Sequence, residues 1–539
     1  MFYRPGHTRA RRWFPGAATV TGPLLATATA LAAVSTGCDD AGTAPGLADA
    51  TAGAADAGDE AGELLSPPPF ARTQTESELA PQRQACAFGP GAWPGETIGT
   101  EYPVGSDIPI DHIIVIMQEN RSFDHYLGRL VAQGYYAPGD FTTGGDAGAG
   151  DAGPGDVGAG PTGDAATGSG FAHSDQLDGP PAGWSNRDAD GGLVVPHPDD
   201  EHCFGADHSW GAEHDDYDDG KLDHFVLQNE PDGERTFFYE DDTVIPFYYG
   251  LASTFAVGDR TFCSVLSSTW PNRFFLMAGT SFGIGDNSFA TLDTPDHPAA
   301  QIFSLLEEGG HTWKDYTDGP HMVQFFPYFG WTKDALSKFD DVQCGLMADI
   351  ANDTLPDVAF VMGDEVDEDS DEGPSDLPGI GGQLVEQIVR NLWASPAWKH
   401  TAVFITYDEN GGMADHVAPA PACAPDAYSP HDENGDPLTP GAFDQTGFRV
   451  PFLVVSPYAR AHFVSHVVHD HTSILRFIEA RFGLPALTAR DANAAPPLEM
   501  FDFQDPPFLT PPTITAHTPV DPAVLASCGQ KLAPLSCTH

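Results

Sequence analysis

The sequence predicts an α/β protein with a mainly parallel central sheet and helices on both faces. Three observations carry this reading. Apolar runs of strand length end in polar turns at 110–117, 357–362 and 401–407. Other segments place apolar residues at helical spacing. The two kinds of segment alternate along the chain, as they do when helices cross between parallel strands.

In chain order, the first strand is 110–117, from Ile110 to Met117. A helix follows Ser268, with Thr269 as the expected N-cap, Pro271 in the first turn and Phe274-Phe275-Leu276-Met277-Ala278 beyond. Residues 357–362 form the second strand. Leu384, Val385, Ile388, Val389 and Leu392 make one helical face over 383–393. The β-branched and aromatic run 401–407 is a third strand, and 452–455, closed by Ser456-Pro457, a fourth. Ile474, Leu475, Ile478 and Phe482 define a helix over 472–482.

With 539 residues, the chain is long enough for a large core. Its 78 acidic residues against 24 Lys and Arg give a formal charge of −54, which would repel nucleic acid and offers no basic patch to anionic lipid. Residues 1–37 read as an export signal: Arg4, Arg9, Arg11 and Arg12, an Ala-rich apolar stretch, then Ser35-Thr36-Gly37-Cys38. Arg11-Arg12-Trp13-Phe14 is twin-arginine-like, and the small residues ending in Cys38 are lipoprotein-like. The expected location is exported: a cell-envelope lipoprotein, periplasmic or secreted. The membrane is reached only through a lipid anchor at Cys38 or a lipid substrate.

Residues 38–84, rich in Ala, Gly, Asp, Glu and Pro, are expected to be a disordered tether, and 138–169 a disordered insertion, in one domain spanning 85–539. Export predicts partial disulfide bonding among Cys86, Cys203, Cys263, Cys344, Cys423, Cys528 and Cys537, with Cys528–Cys537 as the local bridge and one thiol left over. No Cys/His zinc spacing occurs.

Functional groups in parallel sheets gather beyond the carboxyl ends of strands. Glu119 and Asn120 follow the first strand, and Asp408 and Glu409 follow 401–407. Alone, either acidic pair reads as a solvated turn. Two of them, each closing a buried strand, offer hard oxygen donors suited to one divalent ion of the Ca, Mg or Mn type. Gly411-Gly412 permits a tight turn beneath them. Thr269 combines a hydroxyl with a helix N-terminus, where backbone N–H groups can face a phosphate oxyanion.

These segments resemble the bacterial phosphoesterase family of phosphatidylcholine-type phospholipases C and respiratory-burst-inhibiting acid phosphatases. The resemblance spans roughly 108–485. It rests on Asp111-His112-Ile113-Ile114-Val115-Ile116-Met117-Gln118-Glu119-Asn120-Arg121-Ser122-Phe123-Asp124, Thr269-Trp270-Pro271-Asn272-Arg273 and Tyr407-Asp408-Glu409-Asn410-Gly411-Gly412. Gly447-Phe448-Arg449-Val450-Pro451 and Asp470-His471-Thr472-Ser473 add to it.

The resemblance implies an alkaline-phosphatase-like fold. It makes Glu119, Asn120, Thr269, Asp408 and Glu409 the metal ligands and Thr269 also the nucleophile. It places His208 near the leaving group, and His321 and His416 in substrate binding. The expected substrate is a phospholipid or a small-molecule phosphate ester, cleaved through a phospho-threonine. Gly373 stands where the family has a histidine, which bears on phosphate contact and substrate.

Overall fold

Ile110 is buried, but the first strand starts two residues later, because Asp111 N–H donates to His400 O outside the ladder. In chain order the sheet strands are His112–Gln118 (β1), Ala256–Gly258 (β2), Trp313–Tyr316 (β3), Phe339–Asp340 (β4), Val358–Met362 (β5), Thr401–Tyr407 (β6), Phe452–Val455 (β7) and Phe463–Ser465 (β8). This computed structural model describes residues 71–139, 175–199, 205–287, 299–363 and 377–528, with Leu65, Leu292 and Glu372. All of them lie in the compact unit Glu63–His539.

The order across the sheet is β4-β3-β5-β1-β6-β7-β2-β8. Every pairing is parallel except those of β7, which runs antiparallel to β6 and to β2. β1 lies at the centre, with Val115 opposite Phe360 on one side and Phe404 on the other. All seven residues of β6 are buried. Successive side chains of a strand point to opposite faces, so both faces are covered. One covering group packs Thr269–Ala278 against His471–Phe482; another packs Pro246–Thr254 against Pro378–Ala394. The predicted architecture, a mainly parallel central sheet with helices on both faces, is the one found.

Helix Pro378–Ala394 begins well before 383, with Pro378 in its first turn. Gly379, Gly381 and Gly382 hide that start from apolar periodicity. Strands β2, β3, β4 and β8, two to four residues long, give no periodic signal.

The expected tether is too long at its C-terminal end. Residues 71–84 are described and include helix Glu76–Gln84. Leu79 is buried, Arg83 donates to Thr97 O at 2.6 Å, and Arg72 donates to Tyr102 O at 2.8 Å. Two arginines and one leucine dock a stretch whose composition is otherwise that of a linker. The Cys86–Cys423 disulfide, across 337 residues of sequence, ties the segment after this helix to the loop beyond β6. Cys344 is also disulfide-bonded, and Cys263 is a buried free thiol. The Cys528–Cys537 bridge lies outside the described residues, as do residues 1–37 and Cys38. Of the insertion 138–169, only Pro138 and Gly139 are described, and Ala137–Pro138 pairs in parallel with Gln176–Leu177.

Among the described residues, no helix is long and apolar enough to cross a membrane.

Candidate active site

Two adjacent parallel strands end in register. Gln118 of β1 stands opposite Tyr407 of β6, so Glu119-Asn120 and Asp408-Glu409 leave the sheet side by side. Asp408 N–H donates to Gln118 O at 3.1 Å. Asp408 Oδ1 in turn accepts from Asn120 N–H at 3.1 Å and Glu409 N–H at 2.8 Å. Asn120 holds a left-handed φ of 55°, which Asn tolerates better than most residues. Asp408 and Glu409 are fully buried.

Helix Thr269–Ala278 supplies the third part. Arg273 Nε donates to Asp408 Oδ2 at 3.0 Å, and its Nη2 donates to Glu119 Oε1 at 2.9 Å. The guanidinium therefore stands between the carboxylates of two strand ends. Thr269, buried, is one turn before Arg273, and residues four apart share a helix face. Thr269 is not the N-cap. Ser268 holds that position and Thr269 is the first helical residue. The approach to it is fixed by Asn272, whose Nδ2 donates to Val265 O, Ser267 O and Ser268 O at 3.2, 2.8 and 3.1 Å while its Oδ1 accepts from Val265 N–H at 3.0 Å.

Three carboxylates face one guanidinium here. Asn120 Oδ1 and Glu409 Oε1 are buried without a hydrogen-bond partner. Burial, followed by the nearby Asp408 charge, pushes the Glu409 carboxyl well above its ordinary range. Orphaned oxygens and excess negative charge at one spot are what a hard divalent cation satisfies. The donor set fits such an ion, with Glu119, Asn120, Asp408 and Glu409 holding it and the Thr269 hydroxyl available at the helix start.

His208 joins this group. Its Nε2 lies 3.5 Å from Glu409 Oε1, with the side chain 24% exposed. Its Nδ1 lies 2.9 Å from Ala206 O. A carbonyl only accepts, so Nδ1 carries a proton and Nε2 is the nitrogen that can exchange one with a substrate. Gly411 and Gly412, at φ 67° and 68°, allow this approach. A Cβ on Gly412 would come within 2.6 Å of Ala206 Cβ.

The other two histidines sit elsewhere. His416 Nδ1 is 2.6 Å from Asp124 Oδ2 and its Nε2 is 3.2 Å from Asp178 Oδ1. Both nitrogens are engaged, so the expected substrate contact gives way to a buried ion network completed by Arg449, which donates to Asp124 and Asp415 at 2.8 Å each. His321 lies 3.8 Å from Asp315 and stacks on Phe339. No contact among the described residues joins it to Thr269 or to the carboxylates. Its segment nevertheless reaches the helix that starts at Thr269, since Phe325 packs on Trp270 with ring centroids 3.6 Å apart.

Gly373 lies outside the described residues. Its neighbour Glu372 is fully buried, accepts from Tyr248 Oη at 3.1 Å and bonds to Tyr407 Oη, and its carboxyl is raised to about 7 by burial. Sequence reasoning quoted Asn272, Arg273 and Arg449 inside motifs without giving them roles. A buried position for an arginine beside strand-end acids was the available signal.

The side chains converge beyond the carboxyl ends of parallel strands, where α/β proteins bind their ligands. The chain belongs to the phosphoesterase family, hydrolases of phosphoric ester bonds: the Phosphoesterase family description matches residues 110–485.

Curated relatives include phospholipase C B of Mycobacterium tuberculosis, 30% identical over 476 residues covering 79% of this chain and 82% of that protein. The non-hemolytic phospholipase C of Burkholderia pseudomallei is 29% identical over 436 residues, 72% of this chain and 57% of the relative, so the chain spans little more than half of that protein. Non-specific phospholipase C1 of Arabidopsis thaliana is 30% identical over 435 residues, 74% of this chain and 72% of that one. Among solved structures, an alkaline phosphatase superfamily protein from Vibrio parahaemolyticus matches at TM-score 0.30 and 11% identity, covering 46% of this chain and 63% of that one. Murine ectonucleotide pyrophosphatase/phosphodiesterase 5 matches at 0.31 and 11%, covering 45% and 91%.

Proposed function

We propose that the protein is an exported, metal-dependent phosphoesterase of the phospholipase C type, cleaving a phosphate ester through a phospho-threonine. The observation that carries this is the convergence of Arg273, Asp408 and Glu119 at the start of the helix that begins with Thr269. A divalent cation held by Glu119, Asn120, Asp408, Glu409 and Thr269 would supply Lewis-acid charge for the nucleophile and a non-bridging phosphate oxygen. Thr269 Oγ1 attacks phosphorus at a helix N-terminus, where backbone N–H groups favour the developing anion. His208 delivers a proton from Nε2 to the departing alkoxide, and the same nitrogen then accepts a proton from the water that hydrolyses the intermediate. Arg273 fixes two carboxylates by a bidentate grip and keeps their charge from driving the strand ends apart.

Residues 1–37 read as the export signal and Cys38 as a lipid attachment point, which would leave the domain at the cell envelope. The test is an assay of purified protein on a phosphatidylcholine and on a phosphomonoester, each with chelator and after metal add-back. Chelator-sensitive release of phosphocholine is the expected result. Turnover of the monoester alone would make the protein an acid phosphatase, and full activity of metal-free protein, checked by elemental analysis, would overturn the mechanism.

A further inference from the structure

A second set of ligating groups sits in the fold, on side chains that the proposed reaction does not use. His125 belongs to the short helix Phe123–Tyr126. Glu240 follows the strand Phe238–Tyr239, and Asp199 follows His197–Pro198. Those two short strands pair in parallel. Asp199 N–H donates to Tyr239 O at 3.1 Å, and Glu240 N–H donates to His125 O at 2.8 Å. The backbone thus brings the three residues together before any side chain contributes.

One ligand atom from each lies within 4.8 Å of the others. His125 Nε2 is 4.0 Å from Glu240 Oε1, and the two side chains are 0% and 1% exposed. Neither ring nitrogen of His125 has a hydrogen-bond partner, and among the described residues the Glu240 carboxylate meets no N–H donor, only the carboxyl of Asp199. Native proteins rarely leave such atoms unsatisfied, and a buried carboxylate without donors is costly. The charges that face Glu240 are Asp199 and Asp241, which are like, and Arg121, which is opposite. The Arg121 guanidinium is shared among Glu240, Glu372 and Asp199.

We propose that His125, Asp199 and Glu240 hold a divalent transition-metal ion of the zinc type, separate from the oxygen-donor site at the strand ends. One imidazole and two carboxylates suit zinc better than calcium or magnesium, and three protein ligands leave a position for water. Bonds of about 2.0–2.2 Å in a tetrahedron put ligand atoms roughly 3.4 Å apart, so the cluster closes by about 1 Å on binding. The ion ties the 199 and 240 segments to the loop that carries Asn120 five residues before His125. Its role is to hold that loop in place.

The proposal does not depend on the reaction assigned above, and metal counting tests it. Full-length protein is loaded with zinc, dialysed and analysed by inductively coupled plasma mass spectrometry. Two ions per chain are expected. Glu240→Gln and, independently, Asp199→Asn each reduce the count to one, and Glu409→Gln removes the other ion together with activity. A single ion in the wild type that Glu409→Gln removes, or two ions retained in Glu240→Gln, would mean that Arg121 alone neutralises the cluster, and the proposal fails. Should both variants at the new site fail to fold, zinc-edge X-ray absorption on His208→Ala decides. His471 still lies near the strand-end site, with Nε2 2.9 Å from Tyr407 O, so the comparison is with His208→Ala/His125→Gln. Zinc–imidazole scattering is expected in the first chain and lost in the second, and no difference between them overturns the assignment.

Discussion

Arg273 Nε meets Asp408 Oδ2 at 3.0 Å while the same guanidinium reaches Glu119 across the gap between β1 and β6. One side chain from the helix Thr269–Ala278 therefore sets the spacing of both strand ends. Arg273→Lys keeps the charge and loses the fork that grips two carboxylates at once. We expect kcat/KM to fall by about 10²-fold, with weaker binding of the divalent ion in a metal titration. Arg273→Ala leaves buried carboxylates unpaired and should cost on the order of 3–5 kcal/mol of stability. A wild-type melting temperature for Arg273→Ala would show that the two carboxylates are not held together by this residue.

Thr269 starts its helix without capping it, since Ser268 is the N-cap residue. Thr269→Ala should therefore leave the fold and melting temperature close to wild type while turnover drops to background. Thr269→Ser retains a primary hydroxyl in the same place and should keep a substantial part of the rate. Trapping of phosphate on residue 269, read by mass spectrometry of quenched enzyme, separates a nucleophile from a bystander. If Thr269→Ala turns over normally, the hydroxyl has no chemical part.

His208 and Gly412 form a linked pair of predictions. A departing alkoxide needs a proton far more than nitrophenolate does, and general acid catalysis contributes about 10²–10⁴-fold. His208→Ala should slow alkyl phosphate esters severely and nitrophenyl esters mildly. Gly412→Ala adds a methyl where Ala206 Cβ and Asp207 O already press, at 2.6 and 2.9 Å, and adopts a left-handed φ that alanine disfavours. It should push the 206–208 segment away and reproduce the same leaving-group dependence in weaker form. An equal slowing of both substrates by His208→Ala would make that residue a binding group instead.

Much of this was legible in the chain because long buried strands announce themselves. The runs at 110–117 and 401–407 lie within one or two residues of β1 and β6, and the acids just beyond them carry the site. What periodicity missed depends on contacts distant in sequence. Trp313–Tyr316 and Phe463–Ser465 are strands only because a neighbour pairs with them. Helix Glu76–Gln84 is docked by Arg72, Leu79 and Arg83 in a composition that reads as linker. His416 looked like a substrate ligand because its motif gives its type and not its surroundings. Asp124 and Asp178, which claim its two nitrogens, come from segments 292 and 238 residues away.

That ion network makes stability depend on pH. Burial opposes a charged His416, yet the Asp124 charge and the bonds to Asp124 and Asp178 prevail over burial and over Arg449, raising the ring to about 9. Asp415, the fourth charged neighbour, is raised to about 6 by burial. An unfolded histidine titrates near 6.5. Below that value the ring is protonated in both states and the folded protein has the full benefit of the pairing. Between about 6.5 and 9 the unfolded chain releases its proton while the folded chain keeps it, so stability falls as pH rises. The total is on the order of 1–3 kcal/mol. The raised carboxyls of Asp415 and Glu372 act at lower pH, between the ordinary carboxylate range and about 6 and 7 respectively. The histidines that burial depresses, His125, His214, His471 and His517, act below 6.5. Burial also raises the carboxyls of Glu213, Asp216, Glu240, Glu409 and Glu479 well above their ordinary range, so the share of His416 is the difference in slope between wild type and a variant without the ring. Denaturant unfolding at pH 7 and pH 9 should show wild-type stability declining. His416→Gln should be less stable at pH 7 and decline less steeply than wild type across the window. A variant with the wild-type slope would show that another group sets the pH dependence.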